Sequence, residues 1–410
     1  MGLAFWRKPE ERATNITNEA GVSTSDPRSA ELFGVFGMDS VAGVAVNIET
    51  AMGVPAIWDA TNFLSGTLAG LPLNGYRRSG NERTKLTGPM QALVHDDVND
   101  EMSSFEWRKY TFEQVLTGGR AFSYIERNSS GTPINIWPLE PARVKIKRVN
   151  NRKQYIYRSD ARTITYESSE IIDIPFMLKA DGLTHRGPIA SNRDVIGLAI
   201  ASVNYASRFF QNGGVPPFVV TGGFQGGGAM KRAADDLEAA VKKATKDARQ
   251  ALVLPNGLEI KQIGADPEKS QLVEVQKFLI EQIARIYAIP PTFLQDLSHG
   301  TFSNTEQQDL HFVKHTVKRW AEQFEAEMNL KLFGRGRNTR FVEMNMDGLL
   351  RGDFKTRMDG NSSAIQTGQL TPNEARAMEN RPAMPNGDDL LIQGATVPLG
   401  TQEVGGENAA

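Results

Sequence analysis

Residues 271 to 333 read QLVEVQKFLIEQIARIYAIPPTFLQDLSHGTFSNTEQQDLHFVKHTVKRWAEQFEAEMNLKLF. The first part has apolar residues at helical spacing, and Pro290-Pro291 ends this helix because proline lacks the amide proton that a helix needs. The second part begins with a capping box, Ser303-Asn304-Thr305-Glu306, and keeps a helical pattern until Gly334. At about 1.5 Å per residue, this second helix is on the order of 40 Å long. The stretch therefore predicts two long helices joined by a short polar loop.

The loop between the two helices, residues 294 to 302, is too polar for a core and is attached to a rigid helix at each end. Such a loop is suited to contact something that passes it. The apolar stripes of the helices indicate only packing, so we expect function from the polar loop side chains. The candidates are Gln295, Asp296, Ser298, His299, Thr301 and Ser303, and the alternative for Ser303 is a role as helix cap alone.

The composition is that of a globular protein, with 410 residues, enough for two or more domains, of which 40% are hydrophobic and 23% charged. The absence of cysteine excludes disulfides, thiolate metal sites and cysteine nucleophiles. A formal net charge of -2 argues against a protein that grips nucleic acid by neutralising many phosphates. No apolar run approaches the roughly 18 residues of a membrane span. We expect a protein made in the cytosol that does not use a membrane.

Helical patterns recur upstream of the long helices. Residues 9 to 40 are polar without periodicity and predict a loose arm. Amphipathic helices are predicted from Pro55 to Gly70, around Phe105 to Leu116, with Phe105 among the apolar residues that pack, and from Val195 to Phe210.

Between residues 121 and 176 the period changes to that of short strands. Six β-rich runs follow one another, and Asn150-Asn151 stands where a hairpin turn is needed. We interpret the runs as one antiparallel β layer. A later strand, Arg340 to Met346, is predicted to return to this layer.

Residues 215 to 264 resemble an insertion between two long helices. A strand at 216 to 220, a charged helix at 230 to 250 and a hairpin that pairs 251 to 254 with 258 to 260 offer too little core to stand alone. We therefore expect them to pair with another subunit. The charged helix carries cations that form either a docking surface or a solvated face, since acidic residues interleave with them: Lys231, Arg232, Lys242, Lys243, Lys246 and Arg249.

Three further motifs carry little functional weight. His311 and His315 lie four residues apart, but no third metal ligand is evident, so surface or interface histidines are the better interpretation. The glycines between residues 222 and 228 lack a following Gly-Lys-Ser or Gly-Lys-Thr and indicate a hinge. Arg351-Gly352-Asp353 matches an adhesion tripeptide by letters alone, and Asp353 is better placed to cap the next helix.

Several strings between residues 40 and 398 resemble the tailed-bacteriophage portal protein family, specifically the branch of the long-tailed coliphage with a chainmail capsid. Each string alone is weak, but their order and spacing are specific. The chain departs from the family pattern at Gly119-Arg120-Ala121-Phe122, where relatives commonly have Gly-Asn-Ala-Tyr. The strings are Arg208-Phe209-Phe210-Gln211-Asn212-Gly213, Ile286-Tyr287-Ala288-Ile289-Pro290-Pro291, Thr305-Glu306-Gln307-Gln308, Asp347-Gly348-Leu349-Leu350-Arg351-Gly352-Asp353, Thr371-Pro372-Asn373-Glu374-Ala375-Arg376 and Glu379-Asn380-Arg381-Pro382.

The resemblance implies an α+β portal-type fold that assembles as a ring, usually a dodecamer, around a central channel. It divides the chain into a flexible N-terminal arm (1–40), an α/β wing (41–188), stem helix 1 (189–212), a clip (213–268), stem helix 2 (269–291), a tunnel loop (292–303), a tunnel helix with the wing return strand (304–348), a helical crown (349–398) and a disordered tail (399–410).

The implied function is the channel at the capsid portal vertex, through which double-stranded DNA is packaged and later ejected. The implied partners are further copies of the chain, non-specifically contacted DNA, the terminase large subunit, head-completion or adaptor proteins, the major capsid protein and a scaffold. Catalytic residues, metals and cofactors are not expected, and the implied location is the virion after assembly in the host cytoplasm. The alternative is another head-tail connector or adaptor ring with a structural role. An enzyme such as a nuclease is disfavoured, because this sequence has no clustered metal ligands.

Overall fold

The structure is a computed structural model that describes residues 38–211 except 81 and 161, 218–222, 228, 231, 232, 235, 258–262, 272–294, 308–335, 339–346, 349, 354–379 and 381–391. The chain divides into two compact units, Met1–Met344 and Asn345–Ala410. Helices and strands alternate irregularly along the first unit, which confirms the predicted α+β class.

Four of the predicted helices are present with bounds close to those expected, Pro55–Gly70, Ser104–Thr117, Arg193–Gln211 and Leu272–Tyr287, whereas the short helices Ile48–Met52, Pro89–His95 and Pro188–Ser191 were not predicted. The helices are α1 (Ile48–Met52), α2 (Pro55–Gly70), α3 (Pro89–His95), α4 (Ser104–Thr117), α5 (Pro188–Ser191), α6 (Arg193–Gln211), α7 (Leu272–Tyr287), α8 (Lys318–Phe333), α9 (Phe354–Gln366) and α10 (Pro372–Met378). Short 3-10 turns lie at Pro141–Arg143 and Pro291–Leu294, and a π-helical turn at Val313–Val317 precedes α8.

The strands form small antiparallel sheets. They are β1 (Met38–Asp39), β2 (Ala45–Val46), β3 (Leu73–Ser79), β4 (Glu82–Lys85), β5 (Arg120–Arg127), β6 (Pro133–Leu139), β7 (Val144–Val149), β8 (Arg152–Arg158), β9 (Thr163–Glu167), β10 (Ile171–Pro175), β11 (Met177–Leu178), β12 (His185–Arg186), β13 (Phe218–Gly222), β14 (Leu258–Gln262) and β15 (Arg340–Met344). The three-stranded sheets have the orders β10-β5-β6, β7-β8-β9 and β15-β3-β4.

Local sequence explains where several helices begin and end. α4 begins at a capping box, in which the Ser103 hydroxyl accepts from the Glu106 amide at 3.2 Å and Glu106 accepts from the Ser103 amide at 3.0 Å. α2 has Pro55 at its first position, where the missing amide proton costs nothing. The helix that contains α8 ends at Gly334, whose φ of 73° suits glycine. These signals are local, which is why the sequence predicts them well.

A large part of the core of the first unit lies on the two sides of α4, which packs against α2 and against α8. Trp107 and Phe112 of α4 pack against Phe324 of α8, with ring centroids 5.6 and 5.4 Å apart. Trp320 completes the cluster at 6.5 Å from Phe112. Aromatic burial of this size dominates core energetics. The predicted packing of Phe105 is wrong: it lies in the first turn of α4, next to the solvent-facing cap, and remains 45% exposed.

The six predicted strands from 121 to 176 are present, but they form two packed sheets, β10-β5-β6 and β7-β8-β9, and not one layer. The apolar faces of the two sheets share a buried cluster that includes Phe122, Leu139, Tyr155 and Ile171. Asn150 and Asn151 have φ values of 48° and 62°, which confirms the predicted hairpin turn between β7 and β8.

Two predicted pairings differ from the structure. β15 does not return to the layer at 121–176, since it pairs with β3 from Arg340–Arg77 to Met344–Leu73. The hydrophobic run alone could not distinguish these two antiparallel partners. β14 pairs with β13 from Phe218–Gln262 to Gly222–Leu258, whereas its predicted partner, 251 to 254, lies outside the described residues.

The second unit contains α9 and α10. Thr371 and Glu374 form a capping box at the start of α10, with Pro372 at the first helical position. Asn373 is buried and ties this helix to the following segment, because its side chain accepts from the Met384 amide at 2.8 Å and donates to the Asp388 carboxylate at 2.8 Å. The predicted cap at Asp353 lies outside the described residues.

Candidate functional site

The two ends of the predicted loop between the long helices are held together by side chains. The Thr292 hydroxyl, in the 3-10 turn after α7, donates to Gln308 Oε1 at 2.7 Å. Gln308 lies in the helical segment 308–312 that runs into the π turn. The candidate residues Gln295, Asp296, Ser298, His299, Thr301 and Ser303 lie outside the described residues, as does the predicted capping box at 303 to 306. The described part of the site is therefore its base.

An aromatic cluster surrounds this base. The ring of Phe293 lies 5.0 Å from that of Phe312, so the segments on either side of the loop contact each other directly. Phe63 of α2 packs against both, with centroid distances of 5.2 Å to Phe293 and 5.5 Å to Phe312. Three rings at such distances contribute more than their buried area alone. The cluster fixes both ends of the loop to α2.

A π-helical turn provides a second connection between the two helices. Thr316, within this turn, donates its hydroxyl proton to the carbonyl oxygen of Ala288. Ala288 has a φ of 55°, so the chain leaves α7 abruptly before the two prolines. π turns occur mostly as single turns in longer helices and are frequent at functional sites. Together with the Thr292–Gln308 bond, this contact clamps the base of the loop.

The predicted histidine pair lies on the outer side of the same turn. The rings of His311 and His315 have centroids 4.4 Å apart, and both residues are exposed. Among the described residues, no group of three or more His, Cys, Asp or Glu side chains is arranged to hold a metal ion. The described part of the chain also has no helix that is both long and apolar enough to cross a bilayer.

The two helices that flank residues 213 to 268 expose large apolar side chains. Phe210, near the end of α6, is 74% exposed, and Val273 and Phe278 of α7 are 65% and 54% exposed. The opposite side of α7 is buried through Leu279, Ile283 and Tyr287, as the helical spacing predicts. Exposed apolar surface concentrated on two neighbouring helices indicates a contact with another molecule.

Only part of the predicted docking helix is described. Lys231 and Arg232 are both exposed, and Arg232 Nε donates to the carbonyl oxygen of Gly228 at 3.3 Å. The other predicted cations, Lys242, Lys243, Lys246 and Arg249, lie outside the described residues.

A buried polar network that the sequence analysis did not identify lies between the two packed sheets. Arg120 Nε and Nη2 donate to the two carboxylate oxygens of Asp173, each at 2.6 Å, and the Tyr155 hydroxyl donates to Asp173 at 2.6 Å. All three residues are buried. Isolated charges within the apolar runs of β5 and β10 were the available signal. Arg120 is also the residue at which the chain departs from the family pattern.

The carboxylates in and near this network have pKa values shifted in opposite directions. Burial alone raises the pKa of Asp173, but the hydrogen bonds and charge of Arg120 bring it below its usual value. Burial raises the pKa of Glu327, which accepts a hydrogen bond from the Asp173 amide at 2.9 Å. Burial also raises the pKa of Glu325 to about 6. These groups connect α8 to the sheets, which is a structural role.

Comparison with known proteins identifies the family of this chain. Residues 55–380 match the model of the family described as phage portal protein. The portal protein of Enterobacteria phage HK97 is 27% identical over 384 residues, which cover 89% of this chain and 88% of that protein.

Two solved structures share the fold. The crystal structure of an HK97 family phage portal protein from Corynebacterium diphtheriae has a TM-score of 0.55 and 19% identity, and the match covers 73% of this chain and 95% of the other. The neck of a native gene transfer agent particle, computed with C12 symmetry, matches with a TM-score of 0.54 and 16% identity over 88% of this chain and all of the other. The family that the sequence motifs indicate is thus confirmed, and the chain belongs to the phage portal protein family.

Proposed function

We propose that copies of this chain form a ring, dodecameric as a rule, whose channel conducts double-stranded DNA at the portal vertex of a phage capsid. The observation that carries the proposal is the clamped base of the loop. Thr292 and Gln308 are hydrogen-bonded at 2.7 Å, and the tilted rings of Phe293 and Phe312 pack with centroids 5.0 Å apart. A loop held at both ends can line a channel without being pulled along by the DNA that passes.

The exposed apolar residues of α6 and α7 support the ring. Phe210, Val273 and Phe278 each leave more than half of their surface exposed. In a closed ring, one flank of each subunit meets the opposite flank of the next, so a second copy can cover such residues. The neck of the native gene transfer agent particle, which shares the fold of this chain, was computed with C12 symmetry, and this supports a proposal of twelve copies in the ring.

Within this ring we assign the parts of the chain by the predicted boundaries. Residues 41–188 form the wing, 189–212 and 269–291 the stem, 213–268 the clip, 292–303 the tunnel loop, 304–348 the tunnel helix with its return strand, and 349–398 the crown. The clip, with Lys231 and Arg232 exposed, is the part assigned to the terminase large subunit during packaging and to head-completion or adaptor proteins afterwards. The outer wing is assigned to the major capsid protein and scaffold.

The near-neutral charge suits a conduit. A protein that neutralises many phosphates holds DNA tightly and in a salt-dependent manner, which opposes movement. With a formal net charge of -2, this chain is expected to let the duplex slide. The proposal gives the chain no catalytic residue, because packaging requires an ATPase and this sequence has no phosphate-binding loop.

The test has two parts. Purified protein is imaged for rings with an open centre, and residues 294–302 of the tunnel loop are replaced by a Gly-Ser segment of equal length in an infection that depends on this chain. We expect rings to form with the replaced loop but fewer DNA-filled heads. A replacement of equal length in residues 399–407 is the matched control and should leave filling unchanged. Normal filling of heads when the whole protein is omitted would support an adaptor ring, and a strictly monomeric protein would contradict the ring.

A further inference from the structure

Two clusters of opposite charge lie in the first unit, despite the small net charge of the chain. The first, which we call the basic tip, comprises Lys147, Arg148, Arg152 and Lys153 around the turn between β7 and β8. The second, which we call the acidic loop, comprises Asp96, Asp97, Asp100 and Glu101 between α3 and α4. All eight residues are exposed except Lys153, which is half-buried.

The basic tip lacks internal compensation for most of its charge. Lys153 Nζ lies 3.6 Å from the buried Asp173 carboxylate. Lys147, Arg148 and Arg152 form no ion pair with any described residue. Arg148 lies directly opposite Lys153 across the hairpin, and like charges in that position are destabilising. The tip therefore has a surplus of positive charge that an acidic partner would relieve.

The acidic loop is held rigidly by a buried asparagine. Asn99 Oδ1 accepts from the amides of Glu101 and Met102, each at 2.8 Å, and Asn99 Nδ2 donates to the Ile136 carbonyl at 2.8 Å. The Ile136 amide in turn donates to the Val98 carbonyl at 2.8 Å. The four acidic side chains form no ion pair with any described residue. A rigid loop loses little conformational entropy when it binds.

The two clusters lie on opposite flanks of one sheet. The order β10-β5-β6 makes β6 an edge strand, and the acidic loop is bonded to Ile136 on the free side of that strand. The basic tip belongs to the second sheet and lies over the other edge strand of the first, since Lys153 of β8 reaches Asp173 of β10. With strands about 4.8 Å apart, the sheet alone keeps the two clusters on the order of 10 Å apart. Among the described residues, no ion pair joins the two clusters within one subunit.

We infer that the basic tip of one subunit docks against the acidic loop of the next subunit in the ring. The inference rests on the proposed ring, because a head-to-tail contact needs two complementary surfaces on opposite flanks of the same chain. A second copy explains both clusters at once. Duplex DNA is a less suitable occupant of the basic tip, since it gives no role to the acidic loop.

Charge reversal tests the contact from both sides. The tip variant is K147E/R148E/R152E, the loop variant is D96K/D97K/D100K, and the swap variant carries all six changes. The matched control is R77E/K85E/R340E, which changes the charge by the same amount at exposed cations that form no described ion pair. The milder K147Q/R148Q/R152Q gives a second measurement if the tip variant folds poorly, with folding checked by circular dichroism.

The readout is the protein concentration at which half of the chains are in rings, measured by mass photometry and light scattering. At about 0.1 M salt, where the Debye length is about 10 Å, screening still permits such contacts. We expect the tip and loop variants each to raise this concentration about tenfold, which corresponds to about 1.4 kcal/mol. The swap variant should return close to the wild-type value, and the control should not differ from it.

Three results would overturn the inference. Ring formation that is equal in all folded variants would leave the ring intact and remove this contact. Failure of the swap to restore assembly would exclude direct pairing of the two clusters. Weaker binding of duplex DNA to rings of the tip variant, with assembly unchanged, would make the tip a nucleic-acid contact. A wild-type chain that never forms rings would instead contradict the proposed function itself.

Discussion

Replacing Arg120 by methionine tests the buried network between the two packed sheets. The substitution keeps much of the side-chain volume but leaves the Asp173 carboxylate without its two bonds of 2.6 Å from the guanidinium. Breaking a buried ion pair by removing one partner costs about 3–5 kcal/mol of unfolding free energy. Lys153, 3.6 Å from Asp173, and Tyr155 remain as partners, so we expect the lower end, about 3 kcal/mol.

The assay is denaturant and thermal unfolding at protein concentrations below ring assembly. A loss of about 3 kcal/mol corresponds to a melting temperature lower by about 4 °C, because the unit Met1–Met344 has an unfolding entropy of about 0.7 kcal/mol/K. The double variant Arg120→Met/Asp173→Asn is the control, because a neutral amide still accepts from Tyr155 and needs no counter-charge. It should be more stable than Arg120→Met alone. A loss below about 1 kcal/mol, as at an ordinary surface position, would refute the reasoning.

The same pair predicts a pH dependence. The folded pKa of Asp173 lies below its usual value, since Arg120 outweighs the effect of burial. The stability that this pair contributes is therefore present above the unfolded pKa and is lost as the pH falls through the folded pKa. In the methionine variant, the carboxylate is buried without its main partner. The destabilisation should be largest near neutral pH and should shrink in acid, where Asp173 is protonated.

Three further substitutions have outcomes that the structure specifies. Glu325→Gln should raise stability at neutral pH but not in acid. Burial raises the pKa of Glu325 from 4.5 to about 6, so the folded state loses stability as the pH rises from 4.5 to 6. Unfolding of both proteins at pH values below and above this range measures the difference. Gly119→Ala should lower the free energy of unfolding by at least about 2 kcal/mol, because Gly119 has a φ of 92° and an added Cβ would lie 2.3 Å from Gly187 Cα. The control is Gly66→Ala in the middle of α2, where an added Cβ meets no atom within 4 Å. It should leave stability unchanged or raise it in the same unfolding assay. Phe210→Asp should lower the fraction of chains in rings, as measured by mass photometry, while the free energy of unfolding of the monomer changes by less than about 0.5 kcal/mol. A loss of monomer stability instead would show that Phe210 packs within its own chain.

The helices were predictable because their signals are local. The Ser103 capping box, Pro55 at a first helical position and Gly334 at an end each act within one turn of chain. Strand pairing was less predictable, because the alternation of side chains in β15 fits any antiparallel partner with an apolar face. Its partner β3 lies more than 250 residues away in sequence, and nothing in the run Arg340 to Met346 specifies it.

The candidate site was predicted in outline only. The sequence indicates a polar loop between two rigid helices, but the contact of Thr292 with Gln308 depends on how those helices come together. The Arg120–Asp173 pair is separated by 53 residues, so only the presence of charges in apolar strands could have suggested it. The π turn at Val313–Val317 has no recognisable sequence pattern, since its residues are compatible with an ordinary helix.

The π turn has a geometric consequence for the long helix. Each residue of an α-helix advances about 100° around the axis. One extra residue in a π turn therefore changes the direction in which all later side chains of the helix point. Phe312 before the turn faces the aromatic cluster with Phe63, while Trp320 and Phe324 after it face α4. Deleting a single residue between 313 and 317 would swing one of these faces about a quarter-turn away from its neighbour. The π turn thus rotates the second half of the helix relative to the first, so that one continuous helix packs against two different neighbours.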